Sequence, residues 1–129
     1  MIIWTNGCFD IIHPGHIQLF KFAKSKGSKL IVGLDTDERV RLNKGRNRPI
    51  NCLEDRVEVV SSIKYVDEVV TFGTDEQLVQ RILESKAGLI VIGSDYRDKK
   101  IIGSELARVE LFERIPGKST SETIHAIRV

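Results

Sequence analysis

The feature that most constrains this chain is its alternation of short apolar runs with longer amphipathic stretches. Ile2 to Thr5, Lys29 to Asp35, Glu68 to Phe72, Leu89 to Ile92 and Val109 to Glu113 each read as a strand. The run L-I-V-G-L within Lys29 to Asp35 shows no polar alternation, which predicts a strand covered on both faces. His16 to Lys26 predicts a helix, with Ile17, Phe20 and Ala23 on one face and Lys21, Lys24 and Ser25 on the other, and Gly27 ends it. Asp37 to Leu42 predicts a short helix, and Asn43 to Asn51 a polar, basic loop containing Gly45 and Pro49. Asn51 is a candidate cap for a helix from about Cys52 to Lys64, with Glu54 three residues later completing a capping box. Asp75 to Lys86 predicts another helix. Ser94 to Ser104 reads as irregular, with a short helix around Glu105 and a closing helix over Ser119 to Ile127, capped by Ser119 or Thr120.

Strands alternating with helices predict a parallel sheet covered on both faces. Right-handed crossovers then give an open, doubly wound (Rossmann-like) α/β sheet of about five strands. The length of 129 residues fits one domain, residues 1–129, and no linker or repeat interrupts it. Ligands of such sheets bind at the carboxyl ends of the strands, near the topological switch point. That directs attention to the residues after Thr5, Asp35, Ile92 and Glu113.

A net charge of +2 does not indicate a surface built for nucleic acid, although Lys44, Arg46 and Arg48 form one tight basic group. The two cysteines, Cys8 and Cys52, make no disulfide framework and read as reduced thiols. The opening M-I-I-W-T-N-G carries no signal-peptide pattern, and no apolar run approaches the roughly 18 residues of a membrane span. A soluble cytoplasmic protein is the expectation, with no membrane partner.

The segment Thr5 to His16, T-N-G-C-F-D-I-I-H-P-G-H, joins the first strand to the first helix. Gly7 and Gly15 allow close approach of backbone to a ligand. His13 and His16, three apart at the helix entry, can face one bound group. The helix start, with its free N–H groups and positive dipole end, suits a phosphate. Two imidazoles there could donate to phosphate oxygens. Other readings stay open: a structural histidine, a zinc pair without an evident third ligand, or a dinucleotide loop, against which stands the absence of G-x-G-x-x-G. Cys8 reads as packing rather than nucleophile, and Asp37 and Glu38 as first-turn charges.

The stretch N-G-C-F-D-I-I-H-P-G-H resembles the H-x-G-H motif of the cytidylyltransferase-like nucleotidyltransferase superfamily, and the resemblance covers nearly the whole chain. R-P-I-N (Arg48 to Asn51), L-E-D-R (Leu53 to Arg56), G-S-D-Y (Gly93 to Tyr96) and G-S-E (Gly103 to Glu105) resemble the adenylyltransferase domain of bacterial ADP-heptose synthesis. T-D-E (Thr36 to Glu38), Y-V-D-E-V (Tyr65 to Val69) and R-I-P-G-K-S-T (Arg114 to Thr120) are similar to glycerol-3-phosphate cytidylyltransferase. The resemblance implies catalytic roles for His13, His16, Lys44 and Arg56. It implies nucleotide contacts from Thr5, Asn6, Gly7, Phe9, Asp10, Gly15, Gly93, Asp95, Tyr96, Arg114, Ser119 and Thr120, and an acceptor-phosphate contact from Arg48. Asp10 could orient the site or a metal-bound water. Mg²⁺ is expected as cofactor, held mostly by the nucleotide and water, so no protein ligand is assigned. The partners implied are an NTP, a phosphorylated small-molecule acceptor and a second copy in a homodimer.

The heptose type carries lysine in a K-G-G-D-Y stretch, where this chain reads Ile92, Gly93, Ser94, Asp95, Tyr96. The favoured reading is transfer of NMP to a sugar phosphate by an adenylyltransferase of heptose 1-phosphate type. A glycerol-3-phosphate cytidylyltransferase is the alternative, and a non-catalytic nucleotide-binding module the rival from another class. Plainer roles compete residue by residue: Lys44, Arg46 and Arg48 as a solvated loop, Arg56 paired with Glu54 or Glu58, and Ser119 and Thr120 as a simple cap.

Overall fold

The computed structural model describes residues 1–93 and 100–113. Five parallel strands form one sheet: β1 (Ile2–Gly7), β2 (Lys29–Asp35), β3 (Glu68–Phe72), β4 (Leu89–Gly93) and β5 (Arg108–Phe112), in the order β3-β2-β1-β4-β5. The helices are α1 (Pro14–Ser25), α2 (Asp37–Lys44), α3 (Leu53–Ser61) and α4 (Asp75–Ser85). The expected doubly wound α/β sheet is therefore present.

Each sheet face buries its own apolar cluster. Ile3, Leu30, Val32, Leu34, Leu89 and Val91 pack with Leu19, Phe20 and Ala23 of α1 and Val60 of α3. Trp4, Ile31, Phe72, Ile90 and Ile92 pack with Leu78 and Ile82 of α4 on the opposite face. The five central residues of β2 are all buried, as its unbroken apolar run requires.

Chain order runs outward from β1 to β2 and β3, then returns through α4 to β4 on the other side of β1. The switch point thus lies between β1 and β4. Their ladder holds only Ile3↔Leu89 and Trp4↔Ile90. Beyond Trp4, β1 continues paired to β2 as far as Gly7↔Leu34, and β4 continues paired to β5 as far as Gly93↔Phe112. The sheet therefore opens between Thr5–Gly7 and Val91–Gly93.

Several local expectations are corrected. α1 starts at Pro14 rather than His16, because His13 caps it and proline suits the first helical position. The N-cap of α3 is Cys52, with no side-chain cap bond. Asn51 is instead tied to Asp10, so the expected capping box does not form. α3 ends at Ser61, short of Lys64, where Ser62 and Ile63 turn back onto Val59 and Val60. Around Glu105 the chain makes turns, with Ser104 N–H on Ile101 O and Leu106 N–H on Gly103 O, rather than a helix. The closing helix expected over Ser119 to Ile127 lies outside the described residues. Among the described residues, no helix is long and apolar enough to cross a membrane.

Candidate active site

The opening at the carboxyl ends of β1 and β4 is bordered by the Cys8–His13 loop and the start of α1. The loop's shape is set by Phe9, which adopts φ 47°, a left-handed conformation that non-glycine residues rarely take. Packing compensates: the Phe9 ring lies 4.9 Å from Phe20 and meets His16 edge-on at 5.4 Å. Gly7 makes room for that ring, since a Cβ there would come within 3.2 Å of it. Gly7 and Phe9 together thus set one wall against His16.

The two histidines form a reciprocal cap. His13 Nδ1 accepts the Gly15 N–H at 3.1 Å, and His16 Nδ1 accepts the His13 N–H at 3.3 Å. The rings stack, with centroids 3.9 Å apart. An Nδ1 that accepts a backbone N–H carries the lone pair, so the proton of each neutral ring resides on Nε2. Burial, reinforced by the neighbouring His13, lowers the His16 pKa to about 4. Near neutral pH His16 is therefore an uncharged Nε2–H donor at a helix N-terminus.

Two buried braces hold the flanking loops. Asp10, 4% exposed, accepts from Ile50 N–H and Asn51 N–H through its carboxylate and from Asn51 Nδ2 through its carbonyl, and faces Arg48 Nε at 3.8 Å. Arg56, 1% exposed, donates to Asn51 O, Cys8 O and Asp37 Oδ1. Its partner is thus Asp37 of α2, not Glu54 or Glu58. A carboxylate and a guanidinium so engaged orient the loops from behind. Asn51, Asp37 and the Cys8 carbonyl were not foreseen as part of this framework, because each is recruited by a residue distant in sequence.

Lys44 ends α2, exposed, and its charge reaches Cys8 and Asp35. Burial raises the Cys8 thiol's pKa, against the pull of Arg56, consistent with packing rather than nucleophilic use. Burial also raises Asp35, opposed by Arg39, Arg56 and Lys44. Asn6 and Gly93 lie on the two sides of the opening, and a Cβ on Gly93 would meet nothing within 4 Å. Thr5 of β1 is fully buried. Asp95, Tyr96, Arg114, Ser119 and Thr120 lie outside the described residues.

The geometry gathers Asn6, Gly7, Phe9, His13, Gly15 and His16 at one opening, with Asp10 and Arg56 behind it and Arg48 on the loop that Asp10 anchors. Curated relatives include the bifunctional protein HldE of Campylobacter fetus, 43% identical over 128 residues that make up 98% of this chain and 28% of that protein. The bifunctional protein HldE of Wolinella succinogenes is 44% identical over 129 residues, 98% of this chain and 27% of that protein. The chain thus spans little more than a quarter of these relatives' length. Among solved structures, a lipopolysaccharide core biosynthesis protein from Thermoplasma volcanium superposes with a TM-score of 0.70 at 27% identity, covering 89% of this chain and 96% of that one. A pantoate-beta-alanine ligase from Francisella tularensis shares the fold alone, with a TM-score of 0.61 at 15% identity, covering 99% of this chain and 71% of that one. The cytidylyltransferase-like family matches residues 4–123, a span that holds both histidines and all of the sheet except the first two residues of β1, and the chain belongs to that family.

Proposed function

We propose that this chain transfers the nucleoside monophosphate of ATP to a sugar 1-phosphate of heptose type and releases pyrophosphate. The observation that carries this reading is the histidine pair, two Nε2–H donors fixed by backbone caps at the N-terminus of α1, beside the open end of β1. The HldE relatives and the motifs R-P-I-N, L-E-D-R and G-S-E favour the heptose branch over CTP and glycerol 3-phosphate.

An acceptor phosphate oxygen attacks the α-phosphorus, and pyrophosphate departs on the opposite side. The protein's task is positioning and charge stabilisation rather than covalent catalysis. His13 and His16 donate to oxygens that gain charge in the transition state, in a site that also has the helix dipole. Lys44, which the structure places in the last turn of α2 rather than in the loop expected from Asn43, and Arg48 of the loop after α2 bring cationic ends to the phosphates. Arg56 acts through the carbonyls and carboxylate it holds, and Asp10 through the Arg48–Asn51 loop. Thr5, Asn6, Gly7, Phe9, Gly15 and Gly93 shape the nucleotide site; Asp95, Tyr96, Arg114, Ser119 and Thr120 join it by resemblance.

Bound Mg²⁺ would supply neutralisation of the triphosphate charge, held mostly by the nucleotide and water. Both Asp10 carboxylate oxygens accept backbone N–H groups, which gives Asp10 the task of holding the Arg48–Asn51 loop. A homodimer and a cytoplasmic location belong to the same proposal, and gel filtration reads the first.

Pyrophosphate release tests the reaction, with ATP or CTP offered against heptose 1-phosphate, glycerol 3-phosphate and other sugar 1-phosphates. Release with ATP and heptose 1-phosphate, lost in His16→Ala, is expected. Release only with CTP and glycerol 3-phosphate overturns the choice of branch. NTP binding without turnover on any acceptor leaves a binding module.

A further inference from the structure

Trp4 is the chain's single tryptophan and heads its largest fully buried side chains. It lies on the α4 face, and its six-membered ring covers Gly33: a Cβ there would come within 2.6 Å of Cζ2 and 2.8 Å of Cη2. Any large apolar side chain could fill this space, but the indole adds one polar atom. Trp4 Nε1 donates to Asn6 Oδ1 at 2.8 Å.

An indole N–H can only donate, so its partner must be the carbonyl end of the Asn6 amide. A flipped amide would leave a buried N–H facing another donor. Asn6 is thereby held with Nδ2 as its remaining end, which has two N–H donors and no acceptor. It is half-buried, two residues past the last β1–β4 rung, where the sheet opens. Gly33 stands beside it on β2, so no neighbouring side chain competes from that strand.

We propose that Trp4 is a positioning residue for the nucleotide: it fixes the orientation of the Asn6 amide so that the Nδ2–H donors are the end turned away from the indole, which favours an acceptor oxygen, phosphate or ribose, of the bound nucleoside triphosphate. This rests on the reading of the opening as the NTP site.

The test is a double-substitution cycle on Mg·ATP affinity, measured by calorimetry. Because the tryptophan is single, it can be replaced by benzothienylalanine, which keeps the fused ring and puts sulfur where the N–H was. Trp4→Phe is the encoded alternative. This replacement and Asn6→Ala should each weaken binding roughly 3- to 10-fold, the worth of one hydrogen bond. Both together should weaken it no further than Asn6→Ala alone. The unaltered chain should also show its one indole ¹⁵N–¹H resonance move on adding Mg·ATP, a readout that does not depend on any variant folding. A Trp4 effect that persists in the Asn6→Ala background, or a resonance that stays put while nucleotide binds, overturns the proposal and leaves the nucleotide site standing. Failure of the unaltered chain to bind either Mg·ATP or Mg·CTP overturns both.

Discussion

Acidification should destabilise this protein through His16, by an amount that the cap geometry sets. The His16 ring is half-buried, its Nδ1 accepts the His13 N–H, and its pKa falls from 6.5 to about 4. The charged ring would have to give up that acceptor role and face His13 in the stack. Because the folded pKa lies below the unfolded one, the unfolded chain takes up the proton first as pH falls. The stabilisation is whole above about pH 6.5, shrinks as pH falls, and is gone below about pH 4. Its ceiling is about 3 kcal/mol, of which about 2 kcal/mol disappears between about pH 7 and pH 5. Asp35, whose pKa is raised, opposes this trend in both proteins alike, so a difference between two proteins isolates His16. The clean comparison is with His16→Gln, which removes the titrating ring yet keeps an acceptor suited to this position of a capping box. Urea unfolding of both proteins at several values from about pH 5 to pH 8 reads the difference. The gap in stability between them should change by about 2 kcal/mol across that window. Parallel loss of stability in the two proteins would refute the assignment of a neutral, cap-engaged His16.

Other substitutions separate structure from chemistry. His13→Asn keeps a good N-cap while removing the Nε2 donor, so kcat should fall about 100- to 1,000-fold with little change in Tm; equal loss of both would point to a structural role only. Gly33→Ala should cost about 1 to 3 kcal/mol, because the new methyl meets the Trp4 ring, and Trp4→Phe in the same chain should return part of it, as denaturant midpoints can show. Arg56→Ala should destabilise by about 2 to 5 kcal/mol, since it empties a buried site and leaves the Asn51 and Cys8 carbonyls without their donor; a small effect on urea unfolding would mean the brace is replaceable.

Local pattern determined much of this protein. The period of the apolar residues marked all five strands, and the alternation with helices implied a parallel sheet and hence which strand ends bear ligands. The spacing of His13 and His16 was enough to put both at one helix start, because residues three apart share a helix face. What the tertiary structure alone decided is where distant residues meet. Asn51 had the chemistry of a cap, but Asp10, forty-one positions earlier, takes its N–H and amide instead. Arg56 had carboxylates within its own helix, yet the fold brings Asp37 and the Cys8 carbonyl to it. The opening itself exists because β1 and β4 part after one pair of rungs, and Asn6 is oriented there by an indole buried for its bulk. Periodicity reports which face of an element is buried; which partner satisfies a buried polar group depends on how the sheet brings distant segments together.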